Sequence, residues 1–122
     1  MLYTDASLCG LGAYLLLPDG RVFINGAHWE SRGYTSSDIS MLEAQAVANA
    51  VAAFDGLLSQ VRNVDIRVDN TSVEAALGSG SAKAMSLNEA LADTLMLFRQ
   101  RGWRYTTSYV RSPFTLLRLS LK

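Results

Sequence analysis

Residues 36–54 read SSDISMLEAQAVANAVAAF, and the spacing of their apolar positions decides how the rest of the chain is read. Ile39, Leu42, Ala46, Val47, Ala50, Val51 and Phe54 recur every three or four residues. At about 100° per residue they share one face of a helix. Glu43 falls inside that face, four residues after Ile39 and four before Val47, so its carboxylate is expected to point at the protein rather than at water. An ionised acid buried without a partner is costly, so a cationic group is expected beside it. A second reading is local: Ser40 and Glu43 fit the S-x-x-E capping box, in which Glu43 would close the first turn.

Before this helix, Leu2–Asp5 is a short extended run and Gly10–Leu17 a second, glycine-led and then apolar. Pro18-Asp19-Gly20 is a turn signal, and residues 21–29 read as a third strand, which makes a hairpin of residues 11–29. Strands joined by such short links are antiparallel. After the helix, Val64, Ile66 and Val68 alternate with Asp65, Arg67 and Asp69 in a fourth strand. Asn70-Thr71-Ser72 then offers N-capping residues for a short helix to about Leu77, and residues 78–81 read as a flexible joint. A longer helix, Leu87–Gln100, carries Leu87, Leu91, Leu95 and Phe98 on one face, and Trp103–Val110 alternates as a fifth strand.

A strand reached through a helical crossover lies parallel to an earlier one, with right-handed connection. If the fourth strand pairs with the first, Asp5 and Asp69 stand side by side at strand ends, and the crossover helix lays Glu43 over the same place. The expected architecture is therefore α/β: a mixed five-stranded sheet, three antiparallel strands followed by parallel ones, with helices packed on it.

At 122 residues the chain is expected to form one domain, and its 49% apolar composition suits a folded core. No run reaches the roughly 18 apolar residues of a membrane span. A strand pattern starting right after Met1 leaves no room for a signal or transit peptide, so the expected location is intracellular, cytoplasmic or nuclear. The single cysteine, Cys9, has no zinc-ligand spacing around it and reads as a buried apolar residue. His28 reads as structural, and Trp29 and Trp103 as core or sheet residues. Net charge is zero, yet residues 1–98 hold all 11 acids with five bases, whereas residues 99–122 hold six bases and no acid. That split suits an acidic pocket beside a basic phosphate-binding surface, or simply a solvated Arg-rich end.

Tyr3-Thr4-Asp5-Ala6-Ser7 with Gly10-Leu11-Gly12-Ala13, then Ile39–Ala44 with its Glu, then Val68-Asp69-Asn70-Thr71-Ser72-Val73 together resemble the ribonuclease H domain of retroelement reverse transcriptases. The versions in gypsy-like and tyrosine-recombinase-type retrotransposons are the most similar, over about residues 2–112. The resemblance implies that Asp5, Glu43 and Asp69 are catalytic metal ligands for two Mg²⁺ (or Mn²⁺) ions. Such a pair, about 4 Å apart, activates water on one side of a phosphodiester and stabilises the leaving oxygen on the other. The implied substrate is the RNA strand of an RNA:DNA hybrid, told from DNA by its 2′-hydroxyls, and the implied partner a reverse transcriptase domain in a parent polyprotein. Asn70, Ser72 and Asn88 are candidate substrate contacts, each of a residue type that also serves in caps and turns. The family also carries a fourth acid on a closing helix. Residues 112–122 contain none, so a truncated or divergent closing helix and weak or absent activity are expected, and a catalytically inactive hybrid-binding or connection module is the alternative.

Overall fold

The structure is a computed structural model that describes residues 1–29, 33–59, 63–80 and 85–109. Its strands are β1 (Leu2–Ala6), β2 (Gly10–Leu16), β3 (Val22–His28), β4 (Asn63–Val68) and β5 (Arg104–Tyr109). A 3₁₀ turn, Ser36–Asp38, leads into α1 (Ile39–Ala53), followed by the short α2 (Asp55–Leu58), α3 (Thr71–Ser79) and α4 (Met85–Arg101). The sheet order is β3-β2-β1-β4-β5. β1–β2 and β2–β3 are antiparallel, and β1–β4 and β4–β5 are parallel. This is the mixed sheet expected from the sequence.

Alternation along the strands builds the core. Leu2 and Thr4 on β1, Leu11, Ala13 and Leu15 on β2, and Val64, Ile66 and Val68 on β4 are buried. Because side chains alternate across a pleated sheet, these residues line one face, where Leu42, Val47, Ala50 and Val51 of α1 and Leu87, Leu91 and Phe98 of α4 cover them. Trp103 and Tyr105 pack edge-on against Phe98 at 5.5 and 5.0 Å, closing the core under β5. Trp29 differs, because its Nε1–H donates to the Ser7 carbonyl at 2.8 Å and so ties the end of the hairpin to the β1–β2 turn.

That turn is set by chemistry of its own. The Ser7 hydroxyl accepts from the amides of Cys9 and Gly10, both at 3.2 Å. A Cβ on residue 10 would stand 2.5 Å from the Ala27 carbonyl oxygen, so only glycine fits there. Cys9 lies in this turn and is exposed, which corrects its reading as a buried apolar residue: a tight turn at the rim of the sheet has no interior to offer. Residues 78 and 79 also differ from expectation. They stay helical, and the chain breaks instead at Gly80, whose φ of 82° caps α3 in the left-handed conformation. Residues 110–122, where the altered closing segment was expected, lie outside the described residues, as do Arg111, Arg118 and Lys122. Of the bases that precede them, Arg101 is bound to Asp55 at 2.8 Å.

Candidate active site

Parallel pairing of β1 with β4 aligns Leu2 with Ile66, Tyr3 with Arg67 and Thr4 with Val68. The next step in that register sets Asp5 beside Asp69, where β4 ends and the chain turns towards α3. Helix α1 crosses over β1 and β2 on its way between the two strands and brings Glu43 down onto the same end of the sheet. Glu43 is 3% exposed. The capping box does not form, because α1 begins at Ile39 behind a 3₁₀ turn and Ser40 already lies inside the helix. The Ser40 hydroxyl accepts from Asn70 Nδ2 at 3.3 Å instead, which links α1 to the start of α3.

The surroundings of Glu43 are unlike the expected ones. Among the described residues no cationic group acts on it; burial and acids do. Burial first, then the negative charge of Asp5, push its carboxyl up to about 9, with a hydrogen bond to the Asp5 side chain and the charge of Asp69 adding to the rise. The Ala6 amide opposes them by donating to Glu43, and it also donates to Asp5 Oδ1 at 2.9 Å. Sequence reading had no means of finding that amide, since every residue but proline carries one; a small residue following the aspartate is the sole trace. Even so, Glu43 Oε2 is buried without a hydrogen-bond partner. Without a cation, Glu43 holds a proton at neutral pH.

The structure thus brings Asp5 and Glu43 into contact and sets Asp69 close enough for its charge to be felt. Among the described residues, no three His, Cys, Asp or Glu side chains gather tightly enough to hold a metal ion as they stand. The donor set still fits a hard divalent cation. It consists of carboxylates alone, and one buried oxygen is left over, an arrangement that a cation would satisfy and that apolar packing would not.

The candidate substrate contacts are placed otherwise. The Asn70 side chain caps α3, accepting from the Val73 amide at 3.0 Å while donating to Ser40, so both ends of its amide are engaged in holding the fold. Ser72 is exposed in the first turn of α3, and Asn88 is exposed near the start of α4. Asn70→Ala is expected to cost about 1 kcal/mol of stability, as loss of an N-cap does, read as a lower denaturant midpoint with unchanged slope.

No protein-family model matches the chain. No curated protein matches it at a significant level. Solved structures do. RNase H1 from the halophilic archaeon Halobacterium salinarum NRC-1 superposes with a TM-score of 0.71 at 19% identity, over 90% of this chain and 83% of that one. LC11-RNase H1 in complex with an RNA/DNA hybrid gives 0.71 at 17% identity, with the same coverage. The N-terminal RNase H domain of rv2228c from Mycobacterium tuberculosis gives 0.65 at 13% identity, over 89% of this chain and 86% of that one. The chain has the RNase H fold.

Proposed function

We propose that this chain is a ribonuclease H of retroelement type, which hydrolyses the RNA strand of an RNA:DNA hybrid with divalent cations held by Asp5, Glu43 and Asp69. The observation that carries the reading is the Asp5–Glu43 contact with its orphaned buried oxygen, set beside Asp69 at the end of two parallel strands. The likeness to RNase H1 structures, one of them holding an RNA/DNA hybrid, supports the choice of substrate. The retroelement origin and a reverse transcriptase domain in a parent polyprotein rest on the sequence motifs, and with them goes a location inside the cell.

Two Mg²⁺ or Mn²⁺ ions, when bound, would supply an activated water and charge stabilisation at the leaving oxygen. The chain's own residues do the rest. Glu43 holds the proton that would have to leave before its buried oxygen could serve as a ligand. Asp5 is oriented by the Ala6 amide, and the Asn70–Ser40 bond fixes the rim on which Asp69 stands.

The same fold acting as an inactive hybrid-binding module is a second reading, favoured by the lack of a ready three-ligand cluster among the described residues. One assay separates the two. Incubation of the full chain with Mg²⁺ or Mn²⁺ and a hybrid labelled on its RNA strand should yield short RNA products, lost in Asp69→Asn. Retention of the hybrid on the protein with its RNA intact in both metals would establish the module instead.

A further inference from the structure

We propose that the outer edge of β3 is a self-association surface, through which a second copy of this chain adds its own β3 antiparallel to make one continuous sheet across a two-fold axis. β3 ends the sheet, and among the described residues nothing pairs with its outer side. The hydrogen-bond phase of that edge can be fixed. Leu17 donates to the Arg21 carbonyl and Trp29 to the Cys9 carbonyl, both in the register that pairs β2 with β3. Residues 21 and 29 therefore face β2. By alternation Phe23, Asn25 and Ala27 do too, and Val22, Ile24, Gly26 and His28 present their amides and carbonyls outward.

Proteins blunt such edges with charge, proline, bulges or a covering helix. Among the described residues β3 uses none of these. From Val22 to His28 there is no Lys, Arg, Asp, Glu or Pro, every residue is paired with β2 without a bulge, and α1 packs chiefly over β1 and β2. Val22 and Ile24 are 46% and 43% exposed. The other edge, β5, is guarded by comparison: its sequence RYTTSY opens on Arg104 and is otherwise hydroxyl-bearing.

What selects a second copy as the occupant is the sequence VFINGAH itself, whose bulky Phe23 and Ile24 precede Asn25 and whose small Gly26 and Ala27 follow it. Antiparallel pairing about Asn25 is the symmetric register that engages all four outward residues, joining Val22 to His28 of the partner subunit and Ile24 to Gly26 of the partner subunit. It also sets Phe23 opposite Ala27 of the partner subunit, large against small on the other face, and leaves the two Asn25 amides on the axis able to bond each other. No like charges meet between residues 22 and 28.

The test joins sedimentation of the full chain, from micromolar to submillimolar concentration, with amide exchange read residue by residue. A dimer should form, and the amides of Val22, Ile24, Gly26 and His28 should slow at least roughly tenfold with concentration, while those of Phe23, Asn25 and Ala27 stay protected throughout. Ile24→Lys, a charge on an already exposed position, should leave a folded monomer; Thr106→Lys on β5 should still dimerise. A chain monomeric at every concentration overturns the proposal. So does a dimer that leaves the four outward amides fast, and so does protection of those amides that does not change with concentration, which would mean that the same chain covers its own edge. Should Ile24→Lys fail to fold, the exchange pattern of the unaltered chain decides alone.

Discussion

In metal-free buffer, Glu43→Gln is expected to make the protein more stable, by on the order of 3 kcal/mol at pH 7. The reason is a difference in proton binding between two states. Folded, the Glu43 carboxyl keeps its proton up to about pH 9; unfolded, it ionises near its ordinary value of 4.5. Below 4.5 both states are protonated and Glu43 imposes no pH dependence. As pH rises from there to about 9 the unfolded chain releases a proton that the folded one retains, so stability falls by about 1.4 kcal/mol per pH unit and then levels off. Glutamine keeps the shape and never ionises, so the variant should lose that fall across the window in denaturant titrations at several pH values. Saturating Mg²⁺ is expected to reverse the order, because a cation binding only the folded chain would stabilise the native protein by mass action and leave Glu43→Gln nearly unmoved. A native protein whose stability is level from pH 5 to 9 would show that Glu43 ionises as freely folded as unfolded.

The second large effect is on hydrolysis. Asp5→Asn, Glu43→Gln and Asp69→Asn are each expected to reduce the rate of RNA release from a hybrid by more than about 100-fold, since loss of a ligand removes both charge and position from the cation site. Glu43→Gln is the informative member, being at once more stable and less active. A loss of activity caused by misfolding cannot produce that pair of results. Initial rates on a labelled hybrid, set beside melting curves of the same preparations, give both numbers. If all three variants cleave at the native rate, the acids are structural and the hydrolysis belongs elsewhere.

The strand order was readable because each signal in it was local. Pro18-Asp19-Gly20 forced a hairpin, and alternation in residues 64–69 marked a strand reached only through a helix, whose parallel pairing with β1 then followed from general connection rules. Glu43 was legible as a buried acid from its neighbours Ile39 and Val47. Its environment was not. Periodicity reports which way a side chain points and says nothing of what it meets, so the expected cation gave way to Asp5 and the Ala6 amide, both of which depend on β1 lying beneath α1. The same gap explains Asn70. Its side chain is a helix cap, a role as visible in the sequence as substrate contact, and only the bond to Ser40, 30 residues away, ties it to the site. Cys9 was misplaced because composition scales record how often a residue type is buried, whereas turn geometry decides whether this one is.

The convergence of Asp5, Glu43 and Asp69 on one cation site is tested most directly by following the Glu43 side-chain carboxyl carbon by NMR through a pH titration, with and without Mg²⁺. The midpoint should stand near 9 in the metal-free protein and fall below neutrality once the ion is bound. A midpoint near 4.5 in both conditions would contradict the account, since it would place Glu43 in water, away from the aspartates and from any ion.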